Sequence, residues 1–365
     1  MNQLKMLNNQ HNNETSQANP STKFKAVTHG TSRIYSVKSR RSISVAEAGK
    51  RKFVHFFISR IVFLFIFLIS VFFFPVNFSS ASPQNEQKIC YWEAVKNGKK
   101  SILFGTMHIL PGSYLRNLRK KIISSDVIIV EINDFSEALN KISVAGQFKG
   151  NKTLKTSISQ QLYSKVMRFF SKFGLPRQFT NKCKPWYLGM LAQQFQSQEF
   201  INLLDLPMDL YVIQLAQKNK IKTVGLETVD DQVSYFEELS PKIQETFLEE
   251  SVDPKTKKEL VQLKNLYVSG NVKKIEDVLI ESISKNETKE LYEKIYTERN
   301  HRMNRAVLPY LNKGNAFIAI GFGHLVTKTG MVKFLKSNGF QVKRKFLTWG
   351  KREKSSQKKF HKVNN

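Results

Sequence analysis

Two segments far apart in the chain end in the same way. Ile102-Leu103-Phe104 runs into Gly105-Thr106-Met107-His108, and Ala316-Phe317-Ile318-Ala319-Ile320 runs into Gly321-Phe322-Gly323-His324. Each reads as a buried strand closing in a Gly-x-x-His turn. Glycine at the exit lets the backbone pass close to a ligand, because no Cβ intervenes, and the carboxyl ends of strands are where α/β sites collect. Imidazole is the commonest protein metal ligand, so two histidines presented alike point to one shared metal site. Two imidazoles alone make a poor hydrolytic centre, and a carboxylate should join them. Glu131 closes the run Val127-Ile128-Ile129-Val130, where an unpaired carboxylate is costly. Glu227 ends Val224-Gly225-Leu226 in the same fashion and is the second candidate. Arg299, in Glu298-Arg299-Asn300, falls inside a helical stretch; buried, it would hold Glu227 or bind a substrate carboxylate or carbonyl. The plainer alternatives are satisfied core histidines, ion-paired glutamates and a solvated arginine face. The sequence has no Walker loop, dinucleotide fingerprint, Gly-x-Ser-x-Gly elbow or His-Glu-x-x-His helix.

The elements that must position these residues alternate. Apolar, β-branched runs at 101–104, 127–132, 223–226, 316–320 and 340–342 predict strands. Leu115, Leu118, Ile122 and Ile123 recur at helical spacing between the first two, which makes a strand–helix–strand unit and hence parallel neighbours. Met208–Lys220 repeats the pattern ahead of the next strand. The centre reads as helices over 158–173, 185–195, 241–250, 255–267 and 271–284, with one long helix over 287–308 stopped by Pro309. Pro185, Pro207 and Pro241 stand where helices begin, and Gly270, Gly314 and Gly339 where they end. The fold class is therefore α/β: a central mixed, largely parallel sheet flanked by helices, with a helical insertion between two strand-bearing halves.

The 365 residues carry a formal charge of +29. Much of it lies in the tails: residues 1–60 hold eleven Lys/Arg against two Glu, and residues 341–365 hold nine against one. Both tails are rich in Ser, Asn, Gln and Lys and read as disordered over 1–52 and 348–365. The lysines between them are scattered without interleaved aromatics, so no specific nucleic-acid partner is implied. The run 61–74 is uncharged, follows Lys50-Arg51-Lys52, and precedes the small residues Ser79-Ser80-Ala81-Ser82. That order predicts a signal peptide or uncleaved signal-anchor over 53–81 and export of the domain 82–347, either into a bacterial periplasm or anchored facing it. Cys90 and Cys183 both follow the apolar run, and in an exported protein one bridge between them is the leading expectation.

At this point the sequence resembles a known family. Ile102–Leu110, Lys184-Pro185-Trp186, Met208-Asp209-Leu210-Tyr211, Val224–Gln232, Glu298-Arg299-Asn300 and Ile320–Val326 with Gly330 and Gly339 are similar, in matching order, to landmarks of the TraB/GumN family. That family includes the TIKI membrane metalloproteases. The resemblance covers about residues 90–345 and implies a fold similar to the EreA/ChaN-like α/β group. TIKI proteins are metal-dependent peptidases that use two Gly-x-x-His motifs and an acidic residue. By position this implies His108, Glu131 and His324 at a divalent metal (Mn²⁺, Co²⁺ or Zn²⁺), with Glu227 and Arg299 as catalytic neighbours. Thr327-Lys328-Thr329 departs from the glycine- or proline-containing turn that relatives often have there. The function to expect is an exported, divalent-metal-dependent hydrolase, most simply a peptidase on peptide or protein substrates. The alternative is a non-catalytic protein that sequesters a peptide or haem-like ligand.

Overall fold

The structure, a computed structural model, describes residues 87–201, 205–281 and 286–349. The apolar run 61–74, its cleavage site and both basic tails, apart from residues 348 and 349, lie outside the described residues. A six-stranded sheet organises the rest: β1 (Gln87–Lys96), β2 (Lys99–Thr106), β3 (Val127–Val130), β4 (Lys222–Gly225), β5 (Ala316–Gly321) and β6 (Gln341–Trp349), in the order β4-β3-β5-β2-β1-β6. β2, β3, β4 and β5 run parallel, whereas β1 is antiparallel to both β2 and β6. The fold is thus α/β with a mixed, largely parallel sheet. β3 and β5 are buried at every position, which is why they read as unbroken Val/Ile/Ala/Phe runs.

β1 is the strand that periodicity misses. It forms a hairpin with β2 through Asn97 (φ 51°) and Gly98 (φ 73°). Asn-Gly suits a two-residue turn with both φ values positive, whose twist matches that of the flanking strands. β6 extends nine residues along β1, well beyond the three residues 340–342 expected, because pairing with β1 rather than apolar content holds it.

Helices fill the connections. The ones that matter below are α1 (Pro185–Ser197), α2 (Met208–Lys218), α3 (Val229–Glu237), α4 (Pro254–Val268), α5 (Val272–Glu281), α6 (Arg299–Lys313), α7 (Phe322–Val326) and α8 (Met331–Ser337). Prolines begin α1 and α4, and Pro207 caps α2. Gly270, Gly314 and Gly339 take φ of 67°, 83° and 80° beyond helix ends. Pro309 does not stop its helix. α6 runs through it to Lys313, because Pro309 and Arg305, the residue whose carbonyl loses its N–H partner, both face solvent, where water serves that group. No helix among the described residues is long and apolar enough to cross a membrane.

The expected disulfide is also absent: Cys90 and Cys183 are both free and buried. Cys90 lies in β1 and interacts with Tyr267, whereas Cys183 follows the helix Arg177–Lys182 and its Sγ sits 3.3 Å from the Phe179 carbonyl. Burial pushes both thiols up to about 12, so they behave as small apolar side chains.

The two Gly-x-x-His turns pack directly on each other. A Cβ at Gly105 would lie 2.6 Å from Cδ2 and 2.9 Å from Cα of Phe322, so the first glycine of one turn is the seat for the aromatic ring of the other. Phe322 also meets Tyr267 edge-on at 5.4 Å and Trp92 at 5.8 Å, and the Tyr267 hydroxyl donates to the Gly105 carbonyl at 2.6 Å. Because the clash includes a backbone atom, Gly105→Ala should destabilise the fold by about 1–3 kcal/mol, the cost of overpacking a filled core, measured by chemical denaturation. Gly98→Ala meets open space and should lose only the preference for positive φ, about 1 kcal/mol.

Candidate active site

Parallel pairing places four strand ends along one edge. Thr106 of β2 pairs with Gly321 of β5, and Val130 of β3 pairs with Ala319 of β5 and Gly225 of β4. His108, Glu131, His324 and Glu227 all follow these ends within three residues. The β3 and β4 exits stay paired one step further, since the Glu227 N–H donates to the Glu131 carbonyl at 3.0 Å.

Into this edge α6 delivers Arg299, which has no solvent exposure. The turn before it, Glu293–Glu298, is π-helical, a local widening that recurs at functional sites. The guanidinium spends all three nitrogens on the site. Nε donates to both oxygens of Glu227 at 3.0 and 3.1 Å, and Nη2 to Glu227 Oε2 at 2.6 Å. Nη2 also donates to Glu131 Oε2 at 2.7 Å, and Nη1 lies 3.0 Å from His324 Nε2. Glu131 Oε1 accepts the Gly321 N–H at 2.7 Å. Burial would raise the Glu131 carboxyl, but Arg299, with help from His324 and His108, holds it down at about 2. The same carboxylates push Arg299 above its ordinary value, so it is a permanent cation.

The tautomer of His324 follows from its neighbour. Asn300 Nδ2 donates to Thr327 Oγ1 at 3.0 Å and Thr329 Oγ1 at 2.9 Å, which leaves Asn300 Oδ1 to accept from His324 Nδ1 at 2.7 Å. The proton is therefore on Nδ1, and Nε2 offers a lone pair to Arg299. Burial and the adjacent guanidinium depress this imidazole to about 3, so it stays neutral. Thr327 and Thr329 thus orient the amide that orients the histidine.

His108 is held differently. Its Nδ1 lies 2.7 Å from Asp209 Oδ2, and Thr106 Oγ1 donates to Asp209 Oδ1 at 2.7 Å. Asp209 sits in the first turn of α2 and is buried. Burial works against the charged imidazole, but Asp209 overrides it and the basicity of His108 rises above its ordinary value. Glu131, Arg299 and His324 exchange electrostatic influence with His108, so the structure brings the five predicted site residues into one neighbourhood.

Glu227 is enclosed, with 0% side-chain exposure. Besides Arg299 it accepts from Tyr235 at 3.2 Å and lies 3.4 Å from Gln232 Nε2. Tyr235 accepts in turn from Arg302 at 2.9 Å, and Arg302 pairs with Asp231, which also closes a capping box with Thr228 at the start of α3. Asp231, which reads as ordinary surface in the sequence, is thus a support of the Glu227 wall. Among the residues that sequence spacing does not single out are Asp209, Gln232, Tyr235 and Asn300. Asp209, Gln232 and Asn300 lie inside the stretches that carry the family resemblance, but nothing in their local spacing marks a role.

Removing Arg299 would strand two buried carboxylates. Arg299→Met should cost about 3–5 kcal/mol, the penalty for an uncompensated buried charge, and adding Glu227→Gln should recover part of it, read as a coupling energy in denaturant melts. Acid should act on the same cluster. The folded protein keeps Glu131 ionised below its ordinary 4.5, so its stabilisation is intact above about pH 4.5 and is lost as pH falls toward 2. Glu131→Gln should flatten that limb of a stability–pH curve.

The geometry can be set beside known proteins. The family model of the TraB/PrgY/gumN family matches residues 90–344, a span that includes His108, Glu131, Glu227, Arg299 and His324. No curated protein and no solved structure matches the chain. Matched over well more than half of its length, the chain belongs to the TraB/PrgY/gumN family.

Proposed function

We propose that the chain is an exported, divalent-metal-dependent hydrolase acting on peptide or protein substrates, akin to the TIKI-type peptidases it resembles. The observation that carries this reading is the buried Arg299 cluster at the strand ends, where charged groups are brought together at a desolvation cost that packing alone does not require. The apolar run 61–74 behind a basic segment supports export, with the domain released to or anchored facing the periplasm.

The donor set suits a divalent ion. His324 and His108 each have Nδ1 engaged by a side-chain oxygen, the outer-shell arrangement that fixes the ring of a metal-binding histidine and leaves Nε2 to ligate. With ionised Glu131 they make a two-imidazole, one-carboxylate set fit for Mn²⁺, Co²⁺ or Zn²⁺. Among the described residues no such group is already gathered as a cage. Arg299 fills the cationic role on His324 and Glu131, so an ion there must displace its N–H groups from them.

When bound, the ion would supply Lewis acidity toward a scissile carbonyl and toward water. The chain's own residues do the rest. Arg299, bonded to both carboxylates, would hold Glu131 and Glu227 in place at the strand ends. Glu227 keeps Arg299 in place; its oxygens are occupied, so positioning, rather than general base, is the role its surroundings support. Asn300 and Asp209 hold the two imidazole rings.

Purified full-length protein should carry a stoichiometric first-row metal by elemental analysis and cleave peptides in a chelator-sensitive way. His108→Ala and His324→Ala should lose the metal and lower cleavage at least a hundredfold. Full metal content and activity in His108→Ala would sink the metal assignment. One observation favours a second, metal-independent hydrolytic reading: the His108–Asp209 pair, braced by Thr106, has the form of a general base and its orienting carboxylate. Cleavage that survives chelation but is lost in Asp209→Asn would support it, and stoichiometric peptide or haem binding without turnover would support sequestration.

A further inference from the structure

Among the described residues β6 has no strand on its outer side, and its cations are not balanced locally. Residues 328–349 carry six Lys/Arg and no Asp or Glu, so the charge of this edge is not cancelled by its own segment. Lys343, Arg344 and Lys345 of β6 are exposed, and so are Lys333 and Lys336 of α8, which line one groove with Arg344. Lysine on an edge strand is a usual defence against unwanted pairing. Phe346 adds nothing to that defence. Its side chain is 46% exposed, with the Arg344 guanidinium 5.4 Å from the ring centre. An open aromatic ring among cations is the composition of a segment that lies at a membrane interface.

What this edge meets follows from where the chain enters it. Phe346 pairs with Cys90 of β1, three residues from Gln87, and the twelve residues 75–86 separate Gln87 from the apolar run that ends at Phe74. Fully extended, those twelve span about 40 Å at most, so a retained anchor keeps β6 close to the bilayer. Anionic headgroups attract cations near that surface. A nucleic acid would meet the same cations but has no such tether. We propose that the β6 edge docks on an anionic membrane surface, with Arg344, Lys345 and the α8 lysines at the headgroups and Phe346 in the interface.

The docking does not depend on the chemistry of the candidate site, but it bears on access to it. β1 runs antiparallel to β2, so Gln87 starts at the sheet edge where β2 ends, the edge that carries His108. The tether and the site therefore share one end of the sheet.

The test uses the full chain reconstituted in vesicles of phosphatidylglycerol and phosphatidylcholine, with Ser269→Cys carrying a fluorophore. Ser269 is exposed and adjoins Gly270, where an added Cβ would lie 3.0 Å from Phe346 Cε1. The native thiols are buried and stay unlabelled. Lipids with nitroxide headgroups should quench this label more strongly than one at Ser164→Cys, exposed on another helix. Arg344→Glu with Lys345→Glu should lower the docked-to-undocked ratio about tenfold, as should vesicles of phosphatidylcholine alone, and Phe346→Ser should lower it less. Lys255→Glu with Lys258→Glu, exposed at the far end of α4, makes the same charge change and should have no effect; circular dichroism checks that each variant folds. Equal quenching at the two labels, indifference to phosphatidylglycerol, or equal loss in both double variants would overturn the proposal. Release of the chain from vesicles by carbonate would overturn it too, by showing that 61–74 does not anchor the chain. Single-stranded RNA shielding the Ser269→Cys label from an aqueous quencher as well as vesicles do would assign the face to nucleic acid instead.

Discussion

Everything at the active edge depends on how one buried guanidinium is neutralised. Taking an arginine out of water costs several kcal/mol even after relaxation, and Arg299 is recovered only because Glu131 and Glu227 both meet its Nη2 with short bonds while Nε donates again to Glu227. This requirement fixes more than a salt bridge. It ties α6 to the ends of β3, β4 and β5 together, since Glu131, Glu227 and His324 come from those three exits. It also leaves a surplus. Two carboxylates against one cation carry net negative charge into a buried space, softened by the Gly321 N–H and the Tyr235 hydroxyl. A second positive charge is the natural complement, whether a metal ion or a protonated His108, and both proposed chemistries draw on that same imbalance.

The sheet makes this possible through a geometric limit. Parallel strands with fully buried faces deliver their exits at a common level, but they bring backbones, not side chains, into contact. The Gly105–Phe322 seat closes the gap between the β2 and β5 exits, and Tyr267 pins the Gly105 carbonyl from α4. The two histidine turns are therefore one packed unit, with the hairpin partner β1 adding Trp92 behind it.

Much of this was legible in the sequence, and the exceptions share a cause. Buried parallel strands write themselves as Val/Ile runs, so β3 and β5 and the residues just past them were readable, and Glu131 stood out because a carboxylate there is costly. β1 was not, and β6 was read only at its start, since antiparallel pairing at the sheet's margin tolerates mixed residues such as Gln87–Lys96 and Gln341–Trp349; for β1 the Asn97-Gly98 turn was the available signal. The partners that orient the site were silent for a different reason. Asp209 and Asn300 act across long separations, to His108 and His324 respectively, and a polar residue in a helix looks the same whether it faces water or an imidazole. Pro309 misled because a helix breaker is tolerated where the freed carbonyl reaches solvent.

The matching motifs, finally, do not make matching histidines. Asp209, a charged acceptor, holds His108 and raises its basicity, whereas the neutral amide of Asn300 holds His324, and burial together with Arg299 at its other nitrogen lowers it to about 3. One turn thus carries an imidazole whose basicity its neighbour raises; the other carries one that remains a lone-pair donor across the whole physiological range. The asymmetry comes from neighbours outside the motifs: the first turn of α2 on one side, α6 on the other. Two Gly-x-x-His turns alone would give a symmetric pair of ligands. The two rings differ in the atom behind Nδ1, a carboxylate oxygen of Asp209 in one case and the amide oxygen of Asn300 in the other, and in the guanidinium that lies within hydrogen-bond distance of His324 Nε2.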